Sequence, residues 1–104
     1  MSKRLVTLED KYALETGRVF ISGIQALVRA PLDQARRDKA AGLKTAGFIS
    51  GYRGSPLGGY DQQLHRAQKF LDAAGVRFQE GVNEDLAATA VWGSQQVGLF
   101  PGAK

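Results

Sequence analysis

The chain has 104 residues, 43% hydrophobic and 23% charged, which is the make-up of one soluble globular domain or part of one. It contains no cysteine, which excludes a disulfide, a thiolate-bound metal or a cysteine-ligated iron–sulfur cluster from these residues, so any redox centre lies outside them. The net charge of +4 does not define a nucleic-acid surface, because Asp33 and Asp38 are interleaved with Arg29, Arg36, Arg37, Lys39 and Lys44 and no aromatic side chain stands there to stack on a base; a solvated helix face is expected.

Thr7 followed by Asp10 resembles a capping box and predicts a short helix over Lys11 to Thr16, broken by Gly17. The N-terminal residues turn acidic before any apolar run develops, and nowhere do eighteen apolar residues follow one another, so the expected location is the cytoplasm, without a membrane span. After the apolar run Val19-Phe20-Ile21, Ser22 is placed to cap a helix that carries Ile24, Leu27 and Val28 on one face. Pro31 lacks the N–H that a helix ladder requires, which predicts an interruption and a renewed helix from Leu32 to about Ala41, stopped by Gly42.

Thr45 to Ser50 has the length and apolar character of a buried strand, and the glycine-rich stretch Gly51 to Gly59 reads as a loop. A helix follows with Leu64, Ala67, Leu71 and Ala74 on one face, ended by Gly75; His65 falls among Gln62, Gln63, Arg66 and Gln68 on its wet side. Val76 to Gln79 alternates as a strand, Gly81 turns the chain, and Asn83 is placed to cap a helix opening with Glu84-Asp85 and carrying Leu86, Ala90, Ser94 and Val97 at helical spacing. Strand, loop, helix, strand, loop, helix is the order of a right-handed βαβ unit with a parallel pair. Two or three strands are fewer than a parallel sheet needs, so residues 1–104 are expected to be the start of a larger doubly wound α/β domain.

In such sheets ligands bind at the carboxyl ends of the strands, where two loops qualify. The loop 51–59, with four glycines and Ser55, could cradle an anion or a nucleotide, or could be glycine-rich for backbone geometry alone; it matches neither the dinucleotide nor the P-loop pattern. The loop 81–85 places two carboxylates in a first helical turn, which complementarity to the helix dipole would explain without function, at ~0.3–1 kcal/mol.

Gly51-Tyr52-Arg53-Gly54-Ser55-Pro56 resembles the G-Y-P-G-[ST]-P loop of the 2-oxoacid:ferredoxin oxidoreductases, and Val82-Asn83-Glu84-Asp85 with its small-residue helix resembles the N-E-K-x-A segment of that family. The fused indolepyruvate type, with an L-E-D-[KR]-Y opening and a G-Y-R-G-S-P-L-G-G loop, is similar over nearly the whole chain, at Leu8 to Tyr12 and Gly51 to Gly59. The resemblance implies the N-terminal part of the pyrimidine-binding domain of a thiamine diphosphate enzyme, which decarboxylates a 2-oxoacid such as indolepyruvate and passes electrons to ferredoxin with formation of an acyl-CoA. It implies that Glu84 is catalytic and bonds the aminopyrimidine ring nitrogen, that Ser55 lies toward the substrate, and that Tyr52, Gly54 and Pro56 shape the loop, Gly54 and Pro56 beside the cofactor. Arg53 replaces the family's usual proline; it faces either the substrate carboxylate or solvent and an intersubunit contact. The divalent cation, held with the diphosphate, and the [4Fe–4S] clusters would come from the rest of the enzyme, which would be a homo-oligomer.

Overall fold

The computed structural model describes residues 4–103. In chain order these form α1 (Asp10–Ala13), α2 (Gly23–Ala40), β1 (Gly47–Gly51), α3 (Tyr60–Arg66), α4 (Gln68–Ala73), β2 (Val76–Glu80) and α5 (Glu84–Ser94), with a 3₁₀ turn at Val97–Leu99. The strands pair in parallel, Gly47 against Val76 through Gly51 against Glu80, making an α/β unit with the expected βαβ order.

Local signals account for most element ends. Ser22 accepts from the Gln25 backbone N–H while the Gln25 side chain accepts from the Ser22 N–H, a complete capping box for α2. At the other end Gly42 takes φ +76°, Gly42 N–H bonds Lys39 O and Leu43 N–H bonds Asp38 O, which is a Schellman stop. Gly75, at φ +70°, ends α4 in the same region of backbone space.

Three expectations change. Helix α1 is shorter than predicted and begins at Asp10, because the Asp10 carboxylate accepts from both the N–H and the hydroxyl of Thr7 instead of Thr7 capping Lys11 onward. Between α1 and α2 the Val19–Ile21 run lies in no helix or strand, and Phe20 is fully exposed. Helix α2 runs unbroken through Pro31. The carbonyl that loses its ladder donor there is that of Leu27, four residues back, and the Tyr60 hydroxyl donates to it at 3.3 Å, so a group from α3 replaces the missing N–H. Conversely, the helix predicted to be continuous after the loop breaks at Ala67, where neither Pro nor Gly stands; the Ala67 N–H is shared between Gln63 O and Leu64 O, a local 3₁₀ tightening.

The predicted apolar face nevertheless forms the core: Leu64, Ala67 and Leu71 are fully buried with Val28, Leu32, Tyr12 and Val76, and Ile49 and Phe78 pack on them from the strands. Each buried leucine or valine contributes about 1.5–3 kcal/mol, so this one cluster carries most of the apolar stabilisation. Two basic residues expected on a solvated face do other work. Arg29, only 13% exposed, donates to Lys11 O, Asp10 O and Leu14 O, and Arg36 donates to Tyr12 O, while Asp33 pairs with both. Seven residues apart on α2, they take up the carbonyls left over where α1 ends.

Helix α5 packs on β1 through Ala87, beside Gly81 and Ser50. Ser50 alternates with Ile49 along β1, so this contact lies on the opposite side of the strand pair from the main core. The residue that faces the sheet is the small Ala87, which is buried, whereas Leu86 is 54% exposed and Ala90 is exposed. Val97 falls beyond the helix, in the 3₁₀ turn. With Trp92, Leu99 and Phe100 also exposed, the total accessible surface is 7858 Å². A compact chain of this mass exposes about 5,700 Å², so this arrangement leaves more surface open than a compact domain of its size does.

Candidate functional site

The site is assembled at the carboxyl ends of the two strands. Gly81 N–H donates to Gly51 O at 2.7 Å, continuing the ladder one step beyond β2, and the Ser50 hydroxyl donates to Gln79 O. A side chain at Gly81 would stand 2.9 Å from the Ala87 Cβ and 3.3 Å from its Cα, so only glycine lets α5 begin this close to the sheet. Asn83 then caps α5 by accepting from Leu86 N–H at 3.0 Å, which sets Glu84 and Asp85 in its first turn.

Both loops therefore share one sheet edge, and a hydrogen bond joins them: the Tyr52 hydroxyl donates to Glu84 Oε1 across 32 positions of sequence. This bond, with the backbone N–H of Glu84 itself, holds the Glu84 carboxyl below the usual carboxylate range; the same bond raises the Tyr52 phenol above its ordinary value. Glu84 is thus an exposed, ionised carboxylate at neutral pH with a fixed phenolic partner.

The other predicted residues are placed differently. Ser55 is half-buried, and its hydroxyl bonds within its own loop, to Leu57 O at 3.4 Å, while its N–H meets Tyr52 O. Arg53, Gly54 and Pro56 are exposed; Gly54 takes φ +86°, so the turn requires it. No hydrogen bond or ion pair links Arg53 or Ser55 to Glu84 among the described residues. The residue that sequence reasoning undervalued is Tyr52, expected only to shape the loop; no local pattern in its neighbourhood points to a partner beyond β2. His65 likewise gains a partner unseen in sequence, since its Nε2 lies 3.2 Å from Glu80 Oε1 and its ring meets Phe78 edge-on.

Among the described residues no three His, Cys, Asp or Glu side chains are grouped to hold a metal ion, and no helix is long and apolar enough to cross a membrane. No family model, curated protein or solved structure matches the chain.

Proposed function

We propose that this chain is the aminopyrimidine-side segment of a thiamine-diphosphate-dependent 2-oxoacid:ferredoxin oxidoreductase of the indolepyruvate type, with the beginning of a pyrimidine-type domain as its fold. One observation carries the reading: the two loops that resemble the family meet at the carboxyl edge of the parallel pair, with the Glu84 carboxylate exposed between them and bonded to Tyr52.

The residues present suit an aminopyrimidine. Glu84 has one oxygen engaged by Tyr52 and a second to offer a ring nitrogen, and it stands exposed in the first turn of α5. When bound, thiamine diphosphate supplies the electron sink that decarboxylation of a 2-oxoacid needs. Glu84 holds and returns a proton at the ring nitrogen, as a general acid–base group whose position α5 fixes. Arg53 is free to meet the carboxylate of the 2-oxoacid, and the Ser55 hydroxyl reaches it by exchanging its bond to Leu57 O. Coenzyme A, ferredoxin, the magnesium ion with the diphosphate, and the [4Fe–4S] clusters belong to the remaining domains of a cytoplasmic homo-oligomer under this reading. An anion or nucleotide cradled by residues 51–59 fits less well, since it would lie beside the ionised Glu84 and at the start of a helix of seven residues.

The test is Glu84→Gln in the full-length protein. Loss of the exchangeable proton predicts a fall of ~10²–10⁴-fold in 2-oxoacid-dependent ferredoxin reduction, with Asp85→Asn close to normal. If Glu84 merely complements the helix dipole, turnover stays normal and stability changes by less than ~1 kcal/mol. Full activity in Glu84→Gln would refute the proposal.

A further inference from the structure

We propose that Tyr52 is a positioning residue for Glu84: its hydroxyl occupies Oε1, leaves Oε2 for the ring nitrogen, and tethers the glycine-rich loop to the carboxylate. The inference rests on the reading of Glu84 given above.

Three observations support it. The Tyr52–Glu84 bond is the side-chain hydrogen bond that ties residues 52–59 to another element among the described residues, since the Ser55 bonds close within the loop. The carboxylate end is anchored as well, because Asn83 caps α5 and Gly81 seats it against the sheet. The bond also demands a charge state. A phenol donates strongly to a carboxylate and weakly to a neutral acid, so Tyr52 favours ionised Glu84 and opposes the proton that Glu84 must share with a ring nitrogen. The bond therefore couples the charge state of Glu84 to the tether of the loop that carries Arg53 and Ser55.

The charged and titratable residues of the elements that meet here are Tyr52 and Arg53 on the loop, Arg77 and Glu80 on β2, Glu84 and Asp85 on α5, and His65 of α3, which lies against Glu80. Of these, Tyr52 alone hydrogen-bonds Glu84. Because the folded-state value of Glu84 is depressed by the phenol's hydrogen bond, Glu84 protonates at lower pH than an unpartnered carboxyl, and removing the phenol moves that event to higher pH.

The experiment follows the Glu84 side-chain carboxyl carbon by NMR through an acid titration of the full-length protein, wild type against Tyr52→Phe. The expected result is a higher Glu84 midpoint in Tyr52→Phe, together with faster amide exchange over residues 52–59. A purely packing role for the ring moves neither, and an unchanged Glu84 midpoint would overturn the inference whatever the activity. A second measurement does not depend on that variant folding: the Tyr52 phenol should titrate at lower pH in Glu84→Gln than in wild type, and an unmoved phenol midpoint would also overturn it. Both titrations are read without cofactor. A shifted Glu84 midpoint combined with full activity of Glu84→Gln would remove the proposed enzyme function and leave the Tyr52–Glu84 coupling standing.

Discussion

Gly81→Ala is the sharpest perturbation of the site that changes the identity of none of its functional side chains. The new Cβ would sit 2.9 Å from the Ala87 Cβ, 3.3 Å from its Cα and 3.4 Å from the Ser50 hydroxyl. Carbon atoms pack at about 3.5–4.0 Å, so α5 must retreat by roughly 0.6 Å or more at its first turn. Overpacking of this kind costs about 1–3 kcal/mol. Glu84 lies one turn before Ala87 and moves with the helix, stretching its bond to Tyr52; a misplacement approaching 1 Å lowers turnover by up to about 10²-fold. Urea unfolding and steady-state kinetics of the full-length protein measure the two effects. The double variant Gly81→Ala/Ala87→Gly removes the 2.9 Å contact but keeps the 3.3 Å one and adds a helix glycine worth about 1 kcal/mol, so it should recover activity more than stability. If Gly81→Ala is neutral in both assays, the close seating of α5 on β1 is not what places Glu84, and the reasoning fails.

Tyr60→Phe should cost about 0.5–1.5 kcal/mol in urea unfolding, because it removes the donor to Leu27 O. In a Pro31→Ala background that carbonyl regains its own ladder partner, so the Tyr60→Phe cost should largely vanish; equal costs in both backgrounds would disprove the substitution of hydroxyl for N–H. Arg29→Met keeps the apolar stem but leaves the α1 carbonyls and Asp33 without their donor, an expected loss of about 1.5–3 kcal/mol, whereas exposed Arg37→Met should stay within about 0.5 kcal/mol. Equal effects at the two positions, measured by the same unfolding curves, would return Arg29 to the solvated face that composition suggests.

What the sequence determined by itself is what a few adjacent residues decide. Ser22 and Asn83 cap, Gly42 and Gly75 stop, and the alternation of strand and helix patterns sets a parallel βαβ order, because each depends on backbone groups within four residues or on one period of burial. The same order puts the loops at 51–59 and 81–85 on one edge, so the neighbourhood of Glu84 was legible before any coordinates. Tertiary structure decided the rest. Pro31 stays inside a helix because Tyr60, 29 positions later, supplies a donor; Arg29 and Arg36 leave the solvent because α1 ends with free carbonyls beneath them. Ala87 rather than Leu86 is buried because the glycine at 81 sets how α5 meets β1. Tyr52 finds Glu84 for the same reason: the pairing is 32 residues long in sequence and one hydrogen bond long in space, and only the register of the two strands makes those lengths equivalent.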